Sequence, residues 1–133
     1  MPFVMDASIA LAWLLPDETD EAVDALASSL VDTRALVPDL FMHEVRNAIL
    51  VAHRRGRIER DRLVLSMTKI ERLPVALAEP LTTSEVLDYA LMHNLSAYDA
   101  TYIALACRER LPLATRDRAL QRAAMLENVP ILP

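Results

Sequence analysis

The sequence is short of several features that whole classes of protein require. Its 133 residues include one glycine, Gly56, which excludes the glycine-rich phosphate loops of Walker A proteins and dinucleotide-binding folds. The one cysteine, Cys107, excludes an internal disulfide, and its apolar helical surroundings predict a buried, inert thiol. No apolar run approaches the roughly 18 residues of a membrane span, and the start MPFVMDAS lacks the pattern of a signal peptide. We therefore expect a cytoplasmic protein that does not associate with membranes.

An excess of positive charge is also missing. Lys and Arg number 14 and Asp and Glu number 19, giving a net charge of −5, which argues against a protein that coats nucleic acid through bulk positive charge. A local basic segment is present at residues 53–62, which is typical of a solvated helix end. Its arginines together could also contact a phosphate backbone. They are Arg54, Arg55, Arg57, Arg60 and Arg62.

Short apolar runs alternate with helical patterns along the whole chain. The apolar runs lie at 3–5, 35–37, 74–77, 112–114 and 130–132. The helical patterns lie at 7–14, 18–31, 39–54, 59–71, 83–93, 97–109 and 117–125. Strands that alternate with helices need crossover connections, so we predict an α/β fold with a parallel five-stranded sheet flanked by helices. The length suits one domain, residues 1–133.

Two acidic residues follow predicted strands. Asp6 comes directly after the first strand, and Asp117 comes three residues after the fourth. In open parallel sheets, ligands bind beyond the carboxyl ends of the strands, where the strand order reverses. Asp is also a preferred N-cap, so each of these residues could instead cap the helix that follows it. The sequence leaves both roles open.

Two further acids lie on predicted helices. Asp99 stands three residues after Ser96, which is the spacing of a capping box, and by itself it is better explained as part of a helix start. Glu44 falls on the apolar stripe that its helix should turn inward. The other members of that stripe are Leu40, Phe41, Ala48 and Ala52. Burial of a lone carboxylate is costly, so a cation is expected between Glu44 and Asp99 if both face inward.

A doubly wound sheet is able to bring these four acids together. Converging carboxylates repel one another and lose hydration, so they either protonate or bind metal. Oxygen ligands suit Mg²⁺ or Mn²⁺, and the three histidines lack the spacing of a zinc site. Divalent ions held by carboxylates activate water and orient a phosphodiester. The leading interpretation is therefore metal-dependent hydrolysis of a phosphodiester.

Four segments, in this order and spacing, resemble the PIN domain nucleases and, among them, the VapC-type toxins of bacterial toxin–antitoxin pairs. The segments are MDASIALAWL, EVRNAI, LSAYDATYIALA and LATRDRAL. The resemblance implies an endoribonuclease whose metal-activated water cleaves RNA, leaving a 5′-phosphate and a 3′-hydroxyl. It implies that hydroxyl groups accompany the metal ligands and that Asn47 at most orients one of them. The implied ligands of Mg²⁺ or Mn²⁺ are Asp6 and Asp99, with Glu44 and Asp117, and the implied hydroxyls belong to Ser8 and Thr115.

The resemblance also implies partners, namely an RNA substrate, a second copy of the chain in a homodimer, and a cognate antitoxin. An antitoxin segment would lie in an apolar groove, for which Trp13, Met42 and Met67 are candidates, although each of them is also a plausible core residue. The expected RNA contacts are Arg54, Arg55 and Arg57.

Three alternatives stay open. A phosphatase of the haloacid dehalogenase type also begins with a strand-end Asp, but it needs a second Asp two residues later, where this chain has Ser8. A PIN nuclease of RNA processing or turnover would keep all four acids and would have no antitoxin. A non-catalytic binding module of the same fold would be expected to have lost one of the acids, and none is missing.

Overall fold

The computed structural model describes residues 2–15, 17 and 20–133, and a sheet of short parallel strands lies at its centre. The strands are β1 (Val4–Met5), β2 (Ala35–Val37), β3 (Val75–Leu77), β4 (Leu113–Ala114) and β5 (Ile131–Leu132). Their order is β3-β2-β1-β4-β5, and every neighbouring pair is parallel. The predicted α/β class and five-stranded parallel sheet are confirmed. Each strand starts within one residue of the predicted position.

Prolines stand immediately before three of the strands. A proline has no N–H to give to the strand ladder, so it is tolerated at the beginning of a strand. Its carbonyl still accepts, and in each case it accepts an N–H from the neighbouring strand at 2.9 Å. The pairs are Pro74 with Ala35, Pro112 with Val4, and Pro130 with Leu113.

The helices of the described chain agree with the sequence pattern, with one exception. They are α1 (Ala7–Leu14), α2 (Glu21–Ser28), α3 (Leu40–Arg54), α4 (Arg60–Glu71), α5 (Thr83–His93), α6 (Ala97–Glu109) and α7 (Arg118–Leu126). The exception is α2, predicted at 18–31, whose first two predicted residues lie outside the described chain. It begins after Asp20, because that carboxylate accepts the N–H of Val23 at 2.8 Å and caps the helix. None of these helices, within the part of the chain described, is long and apolar enough to cross a membrane.

Helix α6 has more buried residues than any other described helix. Three of them are alanines, which let neighbouring elements approach closely, and the fully buried Ile103 and Leu105 each contribute about 1.5–3 kcal/mol to folding. The buried residues are Ala100, Tyr102, Ile103, Ala104, Leu105 and Ala106. Packing on so much of its surface fixes the position of α6, and with it the position of Asp99 in its first turn.

The strand order reverses between β1 and β4. The chain runs from β1 outward through β2 to β3, and then returns to place β4 on the other side of β1. Asp6 directly follows β1, and its N–H donates to the carbonyl of Ala114, the last residue of β4, at 3.1 Å. Parallel sheets bind ligands at such a reversal, so the predicted position of the acids beside it is confirmed for Asp6.

Candidate active site at the carboxyl edge of the sheet

Asp6 is a buried carboxylate held by two hydroxyl groups. Only 5% of the residue is exposed. One oxygen accepts the Ser8 backbone N–H at 3.0 Å, and the same oxygen accepts the Ser8 hydroxyl. The other oxygen accepts the hydroxyl of Thr115. Asp6 is therefore both the cap of α1 and the centre of a polar network. Its role as a ligand stays a prediction.

The two hydroxyls join the ends of β1 and β4. Ser8 accepts the backbone N–H of Arg116 at 2.9 Å, and the fully buried Thr115 accepts that of Asp117 at 3.0 Å. Because each hydroxyl also donates to Asp6, its single proton is committed and the Asp6 oxygens are fixed in place. The structure thus brings Ser8 and Thr115 to the predicted place beside Asp6.

Asp117 has the capping role that the sequence allowed. It is the N-cap of α7, and one of its oxygens accepts the backbone N–H of Leu120 at 3.0 Å. The residue is partly exposed, and its second oxygen accepts no hydrogen bond from the described residues. That oxygen is available to a ligand at the carboxyl edge of the sheet.

Glu44 lies beside the buried stripe of α3 and not on it, which corrects the sequence pattern. The buried residues of the helix are Phe41, Val45, Ile49 and Ala52, while Glu44 is partly exposed. Its Oε1 accepts the hydroxyl of Tyr102 from α6. The cost of half-burying this carboxylate is thereby reduced by a hydrogen bond, in addition to any cation.

Asp99 forms only half of the predicted capping box. Ser96 accepts the N–H of Asp99 at 3.1 Å, but in the described structure the Ser96 N–H does not donate back to the Asp99 carboxylate. Helix α5 shows the complete arrangement, in which Thr82 and Glu85 each bond to the backbone of the other. The Asp99 carboxylate is therefore not needed to begin its helix.

Burial raises the pKa of three of the four acids, and for two of them the charge of another acid raises it further. Burial is the main cause for Asp6, although the bonds from Ser8 and Thr115 oppose it. Burial also raises the pKa of Glu44, and the charges of Asp99 and Asp6 raise it further. Burial and the charge of Asp117 raise the pKa of Asp99. Each acid thus lies within electrostatic reach of another, and none of them pairs with a basic side chain among the described residues.

The donor set fits a hard divalent cation, although the acids do not form a closed cage. Within the described residues, no three Asp, Glu, His or Cys side chains lie close enough together to enclose a metal ion. Mg²⁺ does not require such a cage, because it usually keeps several waters and binds one or two carboxylates together with phosphate oxygens. Uncompensated carboxylates with raised pKa values are the groups that a cation would stabilise.

The imidazole of each histidine contacts a group other than the four acids. The described residues therefore give no support to a zinc site. His43 lies 3.3 Å from Arg46, His53 3.0 Å from the carbonyl of Ile58, and His93 2.8 Å from Glu127.

The arginine segment lies at the far end of α3 from Glu44. Arg54 follows Glu44 by ten residues, which is about 15 Å along a helix axis. Helix α3 ends at Arg54, and Gly56 follows with a φ of +76°, which favours glycine. Arg57 pairs with Asp17 at 3.0 Å. RNA contact by Arg54, Arg55 and Arg57 stays a prediction, and it requires a substrate that extends well beyond the acids.

Two residues of the site differ from the sequence interpretation. Asn47, proposed at most as an orienting residue, is exposed and makes no side-chain hydrogen bond in the described chain. Tyr102 was not among the predicted site residues, yet its hydroxyl contacts Glu44. A buried tyrosine hydroxyl usually needs a hydrogen-bond partner, so a tyrosine on an apolar helix face could have indicated a polar contact.

Removal of the Asp6 charge should make stability less sensitive to pH. Because the pKa of Asp6 is raised from its ordinary 3.8, the folded state binds this proton more tightly than the unfolded chain does. The stability from this group is present below pH 3.8 and is lost as the pH rises through the folded pKa. Asp6→Asn keeps an oxygen that caps α1 and removes this loss of stability at higher pH. Urea unfolding in the presence of chelator should show that the free energy of unfolding of the variant rises relative to that of the wild type as the pH rises. A difference that does not change with pH would contradict the assignment.

Comparisons of the sequence with known proteins find similar proteins over most of the chain. The sequence profile of the PIN domain matches residues 3–126. The chain is 33% identical over 125 residues to Ribonuclease VapC3 of Pyrobaculum aerophilum, which covers 90% of this chain and 92% of that protein.

Solved structures share the fold. PAE2754 from Pyrobaculum aerophilum superposes with a TM-score of 0.72 at 24% identity, covering 92% of this chain and 84% of that one. FitAcB from Neisseria gonorrhoeae superposes with a TM-score of 0.70 at 18% identity, covering 100% of this chain and 97% of that one.

Proposed function

The chain belongs to the PIN domain family, and on that premise we propose that it is a metal-dependent endoribonuclease that acts as the toxin of a toxin–antitoxin pair. The observation that supports the proposal is the position of Asp6 at the reversal of strand order. The charges of Asp6 and Asp99 act on Glu44 there, and the charge of Asp117 acts on Asp99. The relative that is 33% identical is a ribonuclease by name, which supports RNA as the substrate.

The four acids are proposed to hold Mg²⁺ or Mn²⁺, with Asp6 and Asp99 as the principal ligands. When bound, a divalent cation supplies Lewis acidity toward water and phosphate oxygens. Ser8 and Thr115 fix the orientation of the Asp6 carboxylate through their hydroxyls. Asp99 lies in the first turn of α6, where the backbone N–H groups and the helix dipole also favour a phosphate.

The proposed reaction is a hydrolysis without a covalent enzyme intermediate. A water oxygen forms a bond to the phosphorus while the bond from phosphorus to the 3′ oxygen breaks. The water gives up a proton to the acid cluster or to solvent, and the departing 3′ oxygen takes one up. The products are a 5′-phosphate and a 3′-hydroxyl.

Cleavage by purified protein tests the proposed reaction. RNA should be cut when Mg²⁺ or Mn²⁺ is present and should remain intact with excess chelator, because the acids alone carry no positive charge to stabilise the phosphate. The products should be digested by an exonuclease that requires a 5′-monophosphate. Undiminished cleavage in chelator, or products with a cyclic 2′,3′-phosphate, would contradict the proposal.

A partner surface is proposed on α4. Of the three groove residues expected from the sequence, Trp13 packs against the core and donates its indole N–H to the Val23 carbonyl at 2.9 Å, and Met42 also packs against the core. Met67 is 55% exposed, and exposed Val64 lies three residues before it on the same face of α4. Exposed apolar residues in one place are typical of an interface, which leaves Met67 as the candidate. We propose that this face serves the antitoxin and that the toxin is a cytoplasmic homodimer.

A charge on α4 should weaken the antitoxin complex without loss of cleavage. Met67→Lys places a cation on the exposed face of α4, while the matched control Met125→Lys changes a methionine that is 70% exposed on α7. Light scattering should show a wild-type dimer at micromolar concentration, and the antitoxin should co-purify with the wild type and Met125→Lys but less with Met67→Lys. A monomer that is harmless when expressed alone would favour a nuclease of RNA processing.

A further inference from the structure

The aromatic ring of Tyr102 is buried, and its hydroxyl points out of the core. The residue is 1% exposed, and its ring belongs to the core cluster. A buried tyrosine hydroxyl needs a hydrogen-bond partner, and here the partner is Oε1 of Glu44. The phenol therefore connects the apolar core to one of the proposed metal ligands.

The bond joins the two helices that carry acids of the site. Glu44 is on α3 and Tyr102 is on α6, and the two are 58 residues apart in sequence. Tyr102 also lies three residues after Asp99, a spacing that puts both side chains on neighbouring positions of one helix face. No other side-chain hydrogen bond links α3 to α6 among the residues that the structure describes. The position of Glu44 relative to Asp99 thus depends on this phenol.

Repulsion within the site makes such a donor necessary. The carboxylates of Asp6 and Asp99 both act on Glu44, and like charges favour rotamers that carry the Glu44 carboxylate away from them. A glutamate side chain has ample rotamer freedom with which to do so. A phenol is a donor at neutral pH, and its bond to Oε1 opposes the repulsion while leaving Oε2 for another ligand.

We propose that Tyr102 is a positioning residue that holds the Glu44 carboxylate toward the acid cluster, so that a divalent cation meets a pre-oriented ligand. This inference rests on the proposed function and extends it to a residue that contacts neither RNA nor metal. Groups that orient a metal ligand typically change metal affinity or activity by 10- to 100-fold when they are lost.

The test is Tyr102→Phe, which removes one hydroxyl and keeps the ring in the core. The control is Tyr98→Phe on the same helix, where the tyrosine is 68% exposed. The concentration of Mn²⁺ needed to raise the melting temperature by a given amount should increase roughly 10- to 100-fold in Tyr102→Phe. It should be unchanged in Tyr98→Phe. In the cleavage assay, the Mn²⁺ dependence should shift in parallel while the KM for RNA stays the same.

A second pair of variants shows whether Tyr102 acts through Glu44. In the Glu44→Ala background the phenol has no carboxylate to hold, so Tyr102→Phe should have no further effect on Mn²⁺ binding. The proposal is overturned if Tyr102→Phe binds Mn²⁺ as the wild type does. It is also overturned if Tyr102→Phe weakens Mn²⁺ binding as much in the Glu44→Ala background as in the wild type. Failure of Tyr102→Phe to fold without metal would overturn it too. A wild type that binds Mn²⁺ but cuts no RNA would instead overturn the proposed function, because the Mn²⁺ titrations do not depend on cleavage.

Discussion

Purified Asp99→Asn protein should fold as the wild type does and cleave RNA more than about 100-fold more slowly, because even residues that only support a metal ligand cost 10- to 100-fold when lost. The fold should survive, since Ser96 caps α6 by accepting the backbone N–H of residue 99, which asparagine retains. Loss of an acid from the first helical turn costs about 0.3–1 kcal/mol. This cost is offset because burial and the charge of Asp117 already disfavour the Asp99 anion and raise its pKa.

Glu85→Gln provides a matched control for this substitution. Glu85 occupies the same third position of a helix as Asp99, but the charge that acts on it belongs to Arg108 and not to another acid. Removal of its charge should leave cleavage unchanged. Full activity of Asp99→Asn would exclude Asp99 as a metal ligand, and equal loss in both variants would point to helix stability in place of catalysis.

Mn²⁺ or Mg²⁺ should raise the melting temperature by about 10 °C when the ion is present at about 100 times its dissociation constant. Such saturation stabilises the folded state by about 2.7 kcal/mol, and 1 kcal/mol shifts the melting temperature of a domain of this size by roughly 3–5 °C. The ion binds the folded state because only there do the carboxylates of Asp6, Glu44 and Asp99 repel one another.

Calorimetry or thermal fluorescence with a chelator reversal measures this effect. Sodium chloride at matched ionic strength controls for general screening, and Asp6→Asn should reduce the shift because it removes a principal ligand. An unchanged melting curve across millimolar divalent ion would show that the carboxylates do not form a metal site.

The sequence predicted the sheet well because its signals are local. Apolar runs, three of them opened by proline, marked the strands to within one residue, and their alternation with helices predicted the parallel class. Helix α2 was predicted too long, because the cap by Asp20 is a side-chain contact that an apolar pattern does not report. The alternation did not give the strand order, which determines that Asp6 and Thr115 are neighbours.

The sequence proposed the residues of the candidate site but could not give their contacts. Asp6 and Asp117 looked like either caps or ligands, and the structure shows that a carboxylate is able to cap a helix and still face the site. The bond from Thr115 to Asp6 spans 109 residues, and the bond from Tyr102 to Glu44 spans 58. Periodicity does not encode such contacts, since they depend on how separate elements pack.

The most direct measurement of the proposed chemistry is a map of RNA ends in cells after brief induction of the wild type and of Asp99→Asn. Wild-type protein should produce new 5′-monophosphate ends at a restricted set of sites within minutes, and Asp99→Asn at equal abundance should produce none. The same new ends with both proteins, or no new ends with the wild type, would contradict a ribonuclease whose chemistry depends on the acids at the carboxyl edge of the sheet.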